Sequence, residues 1–367
     1  MTPRQRMLAA IRGEPVDRLP AATYNCHPFS WGRHREWAEY GPILDAVRRT
    51  GAGMLCKVGG RRSGGLPEPE VAETVEGGHR VSTCVLPTPE GPLRRVVVAP
   101  PGQPSRCVEP YVKDARDIDR LLSLQVEPVR WDVQPVLDAC AEIGEAGLAY
   151  VDYTDPFGWV VALFEQEDLL IRIHTDPSPV FALIDWAFDW VRDELAALLD
   201  ALAPTGAEVL LYTCGPEYAT PPLMSPRTFA RVITPQQAPL VARIHRRGFA
   251  ASMHCHGRVR QVLDEVIACG FDVLEPIEPP VQGDISLPEL RERVGDRLCL
   301  MGHVQDQELY TAGPQRIRDH VAQIIETIGK GTRFVATPTC TPFAFPPPEH
   351  YVENYIAFLE AAGALGA

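Results

Sequence analysis

The chain has no Cys-x-x-Cys pair: its ten cysteines are scattered along 367 residues. In a long chain that spacing predicts reduced thiols, most of them core residues, and not a disulfide framework. An apolar signal core is also missing, because Met1-Thr-Pro-Arg-Gln-Arg-Met-Leu8 runs straight into an amphipathic helix pattern. No stretch reaches the length of a membrane span, and the most apolar helix pattern, near Val180 to Leu199, is broken by Asp185, Asp189, Asp193 and Glu194. Positive charge is scarce: the formal net charge is −13, which argues against nucleic acid or an anionic membrane as a partner. The Gly-rich stretch Gly59-Gly-Arg-Arg-Ser-Gly-Gly65 lacks the Lys-Ser/Thr of a phosphate-binding loop and the spacing of a dinucleotide fingerprint. It is expected to be a flexible or lid-like loop. Internal repeats, low-complexity tracts and inter-domain linkers are absent too. These absences leave one expectation, a cytoplasmic protein forming a single domain over residues 1–367.

What is present is a rhythm. Strand patterns at Leu19 to Asn25, Gly53 to Val58, Leu148 to Tyr153, Ala207 to Thr213, Phe249 to His254, Phe271 to Ile277, Leu298 to Val304 and Phe334 to Pro338 alternate with longer helical patterns. Short apolar strands alternating with helices imply a parallel sheet, and about eight such units favour a single (β/α)8 TIM barrel. One segment departs from the rhythm. Val81 to Val85 and Leu93 to Val98 flank Pro87-Thr-Pro-Glu-Gly-Pro92, which predicts a small β-hairpin excursion in the N-terminal third.

In such a barrel the site lies where the strands end. The stretch Ala250-Ala-Ser-Met-His-Cys-His-Gly257 ends a strand on two histidines. Residues two apart on a strand point to one side, so His254 and His256 can converge while Cys255 faces the other way. The octapeptide alone admits either a metal site or a satisfied pair of histidines. The other strand ends supply Tyr24, Asn25 and His27 as candidate cofactor-binding residues, and Asp152, Asp155, Cys214, Glu217, Glu275, Glu278, His303 and Cys340. Imidazole, thiolate and carboxylate are the side chains zinc prefers. His254, His256 and Cys340, with one position open, would make a catalytic zinc centre; the alternative for Cys340 is a buried thiol. Glu275 is a candidate fourth ligand or a carboxylate that orients a ligating imidazole. Glu217 and His303 are candidate acid/base residues, and Glu278 fits a surface acid better. His34, His79, His174, His245, His320 and His350 fall in helices or loops and read as solvated or structural.

Several segments carry a family likeness. The opening Thr2-Pro-Arg-Gln-Arg-Met-Leu-Ala-Ala-Ile-Arg-Gly-Glu-Pro-Val-Asp-Arg-Leu-Pro20 is followed in order by Leu223-Met-Ser-Pro226, Gly270-Phe-Asp-Val-Leu274, Arg297-Leu-Cys-Leu-Met-Gly302 and Pro348-Glu-His-Tyr-Val-Glu-Asn354. Together they resemble the uroporphyrinogen decarboxylase superfamily, which also contains cobalamin-linked methyltransferases. The resemblance implies the same barrel. True decarboxylases carry an arginine-bearing segment where this chain has Tyr24-Asn-Cys-His-Pro-Phe-Ser30, and the paired aspartates before the Ser-Pro helix are replaced near Cys214 and Gly215. A porphyrinogen substrate is therefore not expected. The thiol-methylating branch binds zinc through a His-x-Cys motif and a distant Cys. His254 and Cys340 match it, whereas His256 stands in place of the first Cys. The resemblance implies a zinc-dependent methyltransferase moving a methyl group between a corrinoid, carried by a partner protein, and a small thiol or related acceptor. The alternative is a decarboxylase or lyase acting on another small carboxylate.

Overall fold

In the computed structural model, residues 1–24, 38–101, 103, 105–328, 333–344 and 346–365 are described. Eight parallel strands form one sheet in chain order: β1 (Ala22–Thr23), β2 (Gly53–Val58), β3 (Gly147–Asp152), β4 (Val209–Cys214), β5 (Ala250–His254), β6 (Val273–Ile277), β7 (Cys299–Val304) and β8 (Phe334–Pro338). The ring is brought round by a parallel bridge between Ala21 and Ala336 and by the Ala336 N–H donating to the Pro20 carbonyl at 2.9 Å. Helices occupy every connection, so the expected (β/α)8 barrel is what the chain forms.

The barrel interior explains itself by alternation. Ala22, Leu55, Leu148, Tyr150, Leu210, Tyr212, Val273, Cys299, Met301 and Val335 pack together in one buried cluster, with Ala250 against it. Side chains two apart on a strand share a face, so these residues mark the inward row of each strand. Each leucine buried there contributes roughly 1.5–3 kcal/mol. At the N-terminal end of the barrel, Met7, Ala10 and Ile11 of the helix Pro3–Arg12 join the same cluster and close its floor. That helix starts at a capping box, in which Thr2 accepts from the Gln5 N–H and the Gln5 side chain accepts from the Thr2 N–H. Gly147 shows how tight the wall is, since a Cβ there would meet the Met54 carbonyl at 2.4 Å.

The chain divides into two compact units, one made of residues 1–61, 132–153 and 199–367 and the other of residues 62–131 and 154–198. The first holds the barrel strands. The second contains the excursion, which is larger than a hairpin. Its strands Glu70–Glu76, His79–Leu86, Leu93–Ala99 and Arg106–Glu109 form a four-stranded antiparallel sheet. The expected hairpin is its centre, paired from Arg80 with Ala99 to Leu86 with Leu93. The flanking strands escape sequence reading because Glu70–Glu76 is exposed along its whole length and so has no inside–outside alternation. The Gly-rich stretch is no loose loop: Arg61–Gly65 is a strand paired with Glu127–Asp132. Gly64 sits at φ +75°, and a Cβ would meet the Pro128 carbonyl at 2.3 Å, so glycine serves close pairing there. In the same unit Arg62 bridges Glu194 at 2.9 Å, and the Trp159 ring lies 5.7 Å from Trp186 and 5.5 Å from Trp190. Among the described residues, no helix is long and apolar enough to cross a membrane.

Candidate active site at the barrel mouth

Stepping two residues onward from each inward core position reaches the last layer of the barrel. Ala22 leads to Tyr24, Leu55 to Lys57, Tyr150 to Asp152, Tyr212 to Cys214, Val273 to Glu275 and Val335 to Thr337, while Ala250 leads through Ser252 to His254. The apolar interior thus gives way to a polar rim on seven of the eight strands. Cys214, His254 and Glu275 stand side by side across β4, β5 and β6, because the register pairs Cys214 with His254 and His254 with Glu275.

His254 is the hub. Its side chain is almost wholly buried, and its Nδ1 lies 3.2 Å from the Tyr24 hydroxyl and 3.3 Å from Glu275 Oε1. Two partners on Nδ1 leave Nε2 as the nitrogen free to take a ligand. The Tyr212 ring lies 5.5 Å from the imidazole. Beside it, the Cys214 thiol donates to Glu217 Oε1 at 3.1 Å, and the Gly215 N–H donates to Glu217 Oε2 at 2.8 Å. Donor atoms of Cys214, Glu217 and His254 all lie within 4.8 Å of one another.

The remaining candidates sort around this hub. The His256 ring packs edge-on against His254 at 4.6 Å, but its Nδ1 faces Glu278 Oε1 at 3.2 Å, and Glu278 Oε2 accepts the Gly257 N–H at 2.8 Å. Glu278 is therefore no surface acid. Among the described residues, neither His256 nor Cys340 belongs to the compact donor group. Cys255 is buried, as the strand geometry requires. Glu275 occupies the position from which a carboxylate orients an imidazole. Asp155 caps the helix Pro156–Val161 by accepting the Gly158 N–H. Asn25 and His27 lie outside the described residues.

His303 goes elsewhere. Alternation from Met301 would bring it to the rim, but Gly302 between them has φ +149°, outside the strand region, and interrupts the row. The His303 Nδ1 pairs with His320 Nε2 at 3.3 Å, and His320 Nδ1 with Glu308 Oε2 at 2.7 Å. His320 is accordingly structural but buried, and not solvated. His245, by contrast, sits at the surface against Asp272 at 2.9 Å.

Charge explains the titration behaviour. Burial and then Glu275 push the Tyr24 hydroxyl well up, keeping it neutral. Loss of hydration and the Glu217 carboxylate push the Cys214 thiol up, although the side chain remains open to solvent at the rim. Burial opposes a charge on His256, yet the Glu278 hydrogen bond and its carboxylate carry the net shift upward. Burial alone would raise Glu278, but His256 and the Gly257 N–H hold it down. Burial and the neighbouring His320 hold His303 down to about 4, so it is neutral at ordinary pH.

One residue that sequence reading missed, Lys57, completes the rim. The Lys57 ammonium is 2.7 Å from Asp152 and 4.9 Å from the Tyr212 ring centre. Just beneath, the Tyr150 hydroxyl donates to the Met301 sulfur at 3.1 Å. Lys57 ends an otherwise apolar strand, and that contrast is the signal that could have found it.

The fold and the rim define a parallel barrel with a thiol, acid and imidazole cluster at its mouth. A profile of the family described as uroporphyrinogen decarboxylase (URO-D) matches residues 96–365, and the chain belongs to that family. Among curated relatives, the methylcobamide:CoM methyltransferase MtaA of Methanosarcina barkeri is 27% identical over 132 residues, 36% of this chain and 36% of that protein. A uroporphyrinogen decarboxylase of Chromohalobacter salexigens is 28% identical over 191 residues, 52% of this chain and 49% of that protein. The chain thus spans about half or less of the length of the curated relatives it matches. A solved methyltransferase from Methanosarcina mazei covers the whole of both chains with a TM-score of 0.63 at 17% identity, a likeness of fold.

The mouth also meets the requirements of a metal. Cys214, Glu217 and His254 offer one sulfur, one oxygen and one nitrogen donor within a single compact group, the donor types zinc takes. A histidine with its other nitrogen already bonded is the form in which imidazole binds metals. These residues fit zinc.

Proposed function

We propose that the chain is a methyltransferase that moves a methyl group between a corrinoid carrier and a small thiol or related acceptor, with zinc at the barrel mouth. The observation that supports this best is His254, held through Nδ1 by Tyr24 and Glu275 beside the Cys214 thiol and the Glu217 carboxylate. Zinc bound there would keep an acceptor thiol as a thiolate near neutral pH. His254 is the anchoring ligand, and its companions come from Cys214, Glu217, His256 and Cys340. Tyr24 and Glu275 hold the ring through Nδ1, which leaves Nε2 for the ligand. Tyr24, at the rim, is proposed to lie on the side that meets a corrinoid presented by a partner protein.

The charge of the rim bears on the alternative of a decarboxylase. Lys57 is already paired with Asp152, which leaves Glu217, Glu275 and Glu278 facing the histidines. Among the described rim residues there is no surplus of positive charge for a small carboxylate, so the mouth favours a cation and a neutral acceptor.

The test uses zinc-loaded protein with methylcobalamin as donor and 2-mercaptoethanol as acceptor. The expected result is loss of the methylcobalamin spectrum with equimolar S-methyl product by mass spectrometry. Folded, zinc-loaded protein that leaves methylcobalamin intact with thiols and phenols alike overturns the proposal.

A further inference from the structure

Resting on the zinc reading above, we infer that the ion is carried by Cys214, Glu217 and His254, and not by the trio His254, His256 and Cys340 that the sequence suggests. The two sets share one imidazole and differ in the side of the barrel they use. The first uses two adjacent strands, with Cys214 ending β4 in register with His254 and Glu217 three residues further on in the turn that follows. The second needs a residue that follows β8.

Three observations favour the first set. Its donor atoms already lie within 4.8 Å of one another, so one ion can reach all three after small side-chain adjustments. The turn that carries Glu217 is braced: the Gly215 N–H holds Glu217 Oε2, and the Thr220 hydroxyl donates to the Glu217 carbonyl at 2.8 Å. A donor set held before the ion arrives loses less freedom on binding it. His256 is engaged by a half-buried carboxylate, Glu278, whose second oxygen is held by the Gly257 N–H, so recruiting it breaks that pairing. In either set the buried Glu275 sits on the Nδ1 of His254, and a carboxylate on the far nitrogen of an imidazole raises its basicity toward a metal on the near one. The inferred site is thus a thiolate, a carboxylate and an imidazole with a fourth position open to the sulfur or oxygen of an acceptor.

The experiment measures zinc content and zinc affinity for the full chain and for Cys214→Ser, Glu217→Gln, His256→Asn and Cys340→Ser, with thermal melting to confirm folding. Cobalt(II) substituted for zinc reports a thiolate ligand through its near-ultraviolet charge-transfer band. Losing an outer hydrogen-bond partner already costs about 10–100-fold in metal affinity. Cys214→Ser and Glu217→Gln are therefore expected to lose at least about tenfold, and Cys214→Ser to lose the thiolate band. His256→Asn and Cys340→Ser are expected to keep zinc and the band. A band that survives in Cys214→Ser and vanishes in Cys340→Ser overturns the inference and leaves the methyltransferase proposal intact. Zinc held through Cys214 in a protein that transfers no methyl group does the reverse. If the variants misfold, X-ray absorption on the unaltered chain decides: one sulfur and a carboxylate in the zinc shell agree with the inference, and a shell with two imidazoles overturns it.

Discussion

His254 and His303 look alike in the sequence, each closing an apolar barrel strand, and both are buried. Their surroundings separate them. His254 has a phenol and a carboxylate on one nitrogen and a thiol and a second carboxylate close by. His303 has another histidine, and a carboxylate only beyond it. Acids around an imidazole prepare it for a cation, whereas a second imidazole and burial prepare it to stay neutral. A histidine at a strand end is therefore a site only when the adjoining strands deliver acids to it.

Substitution should break the comparison most sharply at His254. His254→Ala is expected to lose stoichiometric zinc, with affinity down at least about a hundredfold given what outer partners alone contribute. His303→Ala should keep its zinc, as metal analysis of the two purified variants will show. Acid sharpens the contrast from the other side. His303 is held down to about 4, below its ordinary 6.5, so the unfolded chain takes up its proton first. The stability due to neutral His303 is complete above about pH 6.5 and is lost as pH falls through about 4. Removing it, as in His303→Gln, should flatten the acid side of the stability curve by on the order of 2–3 kcal/mol relative to the unaltered chain, by urea titration at pH 4.5 and 7.

Smaller effects probe the supports of His254. Glu275→Gln keeps the shape but removes the charge behind the imidazole, and zinc affinity should fall about tenfold. Competition with a chelator measures this. Lys57→Met removes the one ammonium described at the rim and should strengthen cation binding by no more than about fivefold, because the pair with Asp152 is partly solvated.

Much of the barrel was legible because its strands are short, apolar and separated by helices. The mouth was legible as a set of strand ends, and Glu217, His254 and Glu275 were singled out as candidates in that way. Membership of the set is a different matter. Which strand ends touch depends on register and on side-chain torsions, and neither leaves a mark in spacing. Cys214 carried no more signal than Cys340, yet β4 adjoins β5. His303 pairs with His320, and one residue outside the strand region, Gly302, interrupts an alternation that assumes an unbroken strand. Glu70–Glu76 failed for the opposite reason, since a strand exposed on both faces has no pattern to read.

The helix that closes the barrel floor has a kinetic consequence. With Met7, Ala10 and Ile11 filling the N-terminal end, molecules enter and leave by the rim. For the proposed reaction this imposes a queue: a small acceptor bound beside His254 must arrive before a macromolecular donor covers the opening, and product departs only after the donor withdraws. Turnover should then slow as the donor protein is raised past saturation, a form of inhibition that a barrel open at both ends would escape.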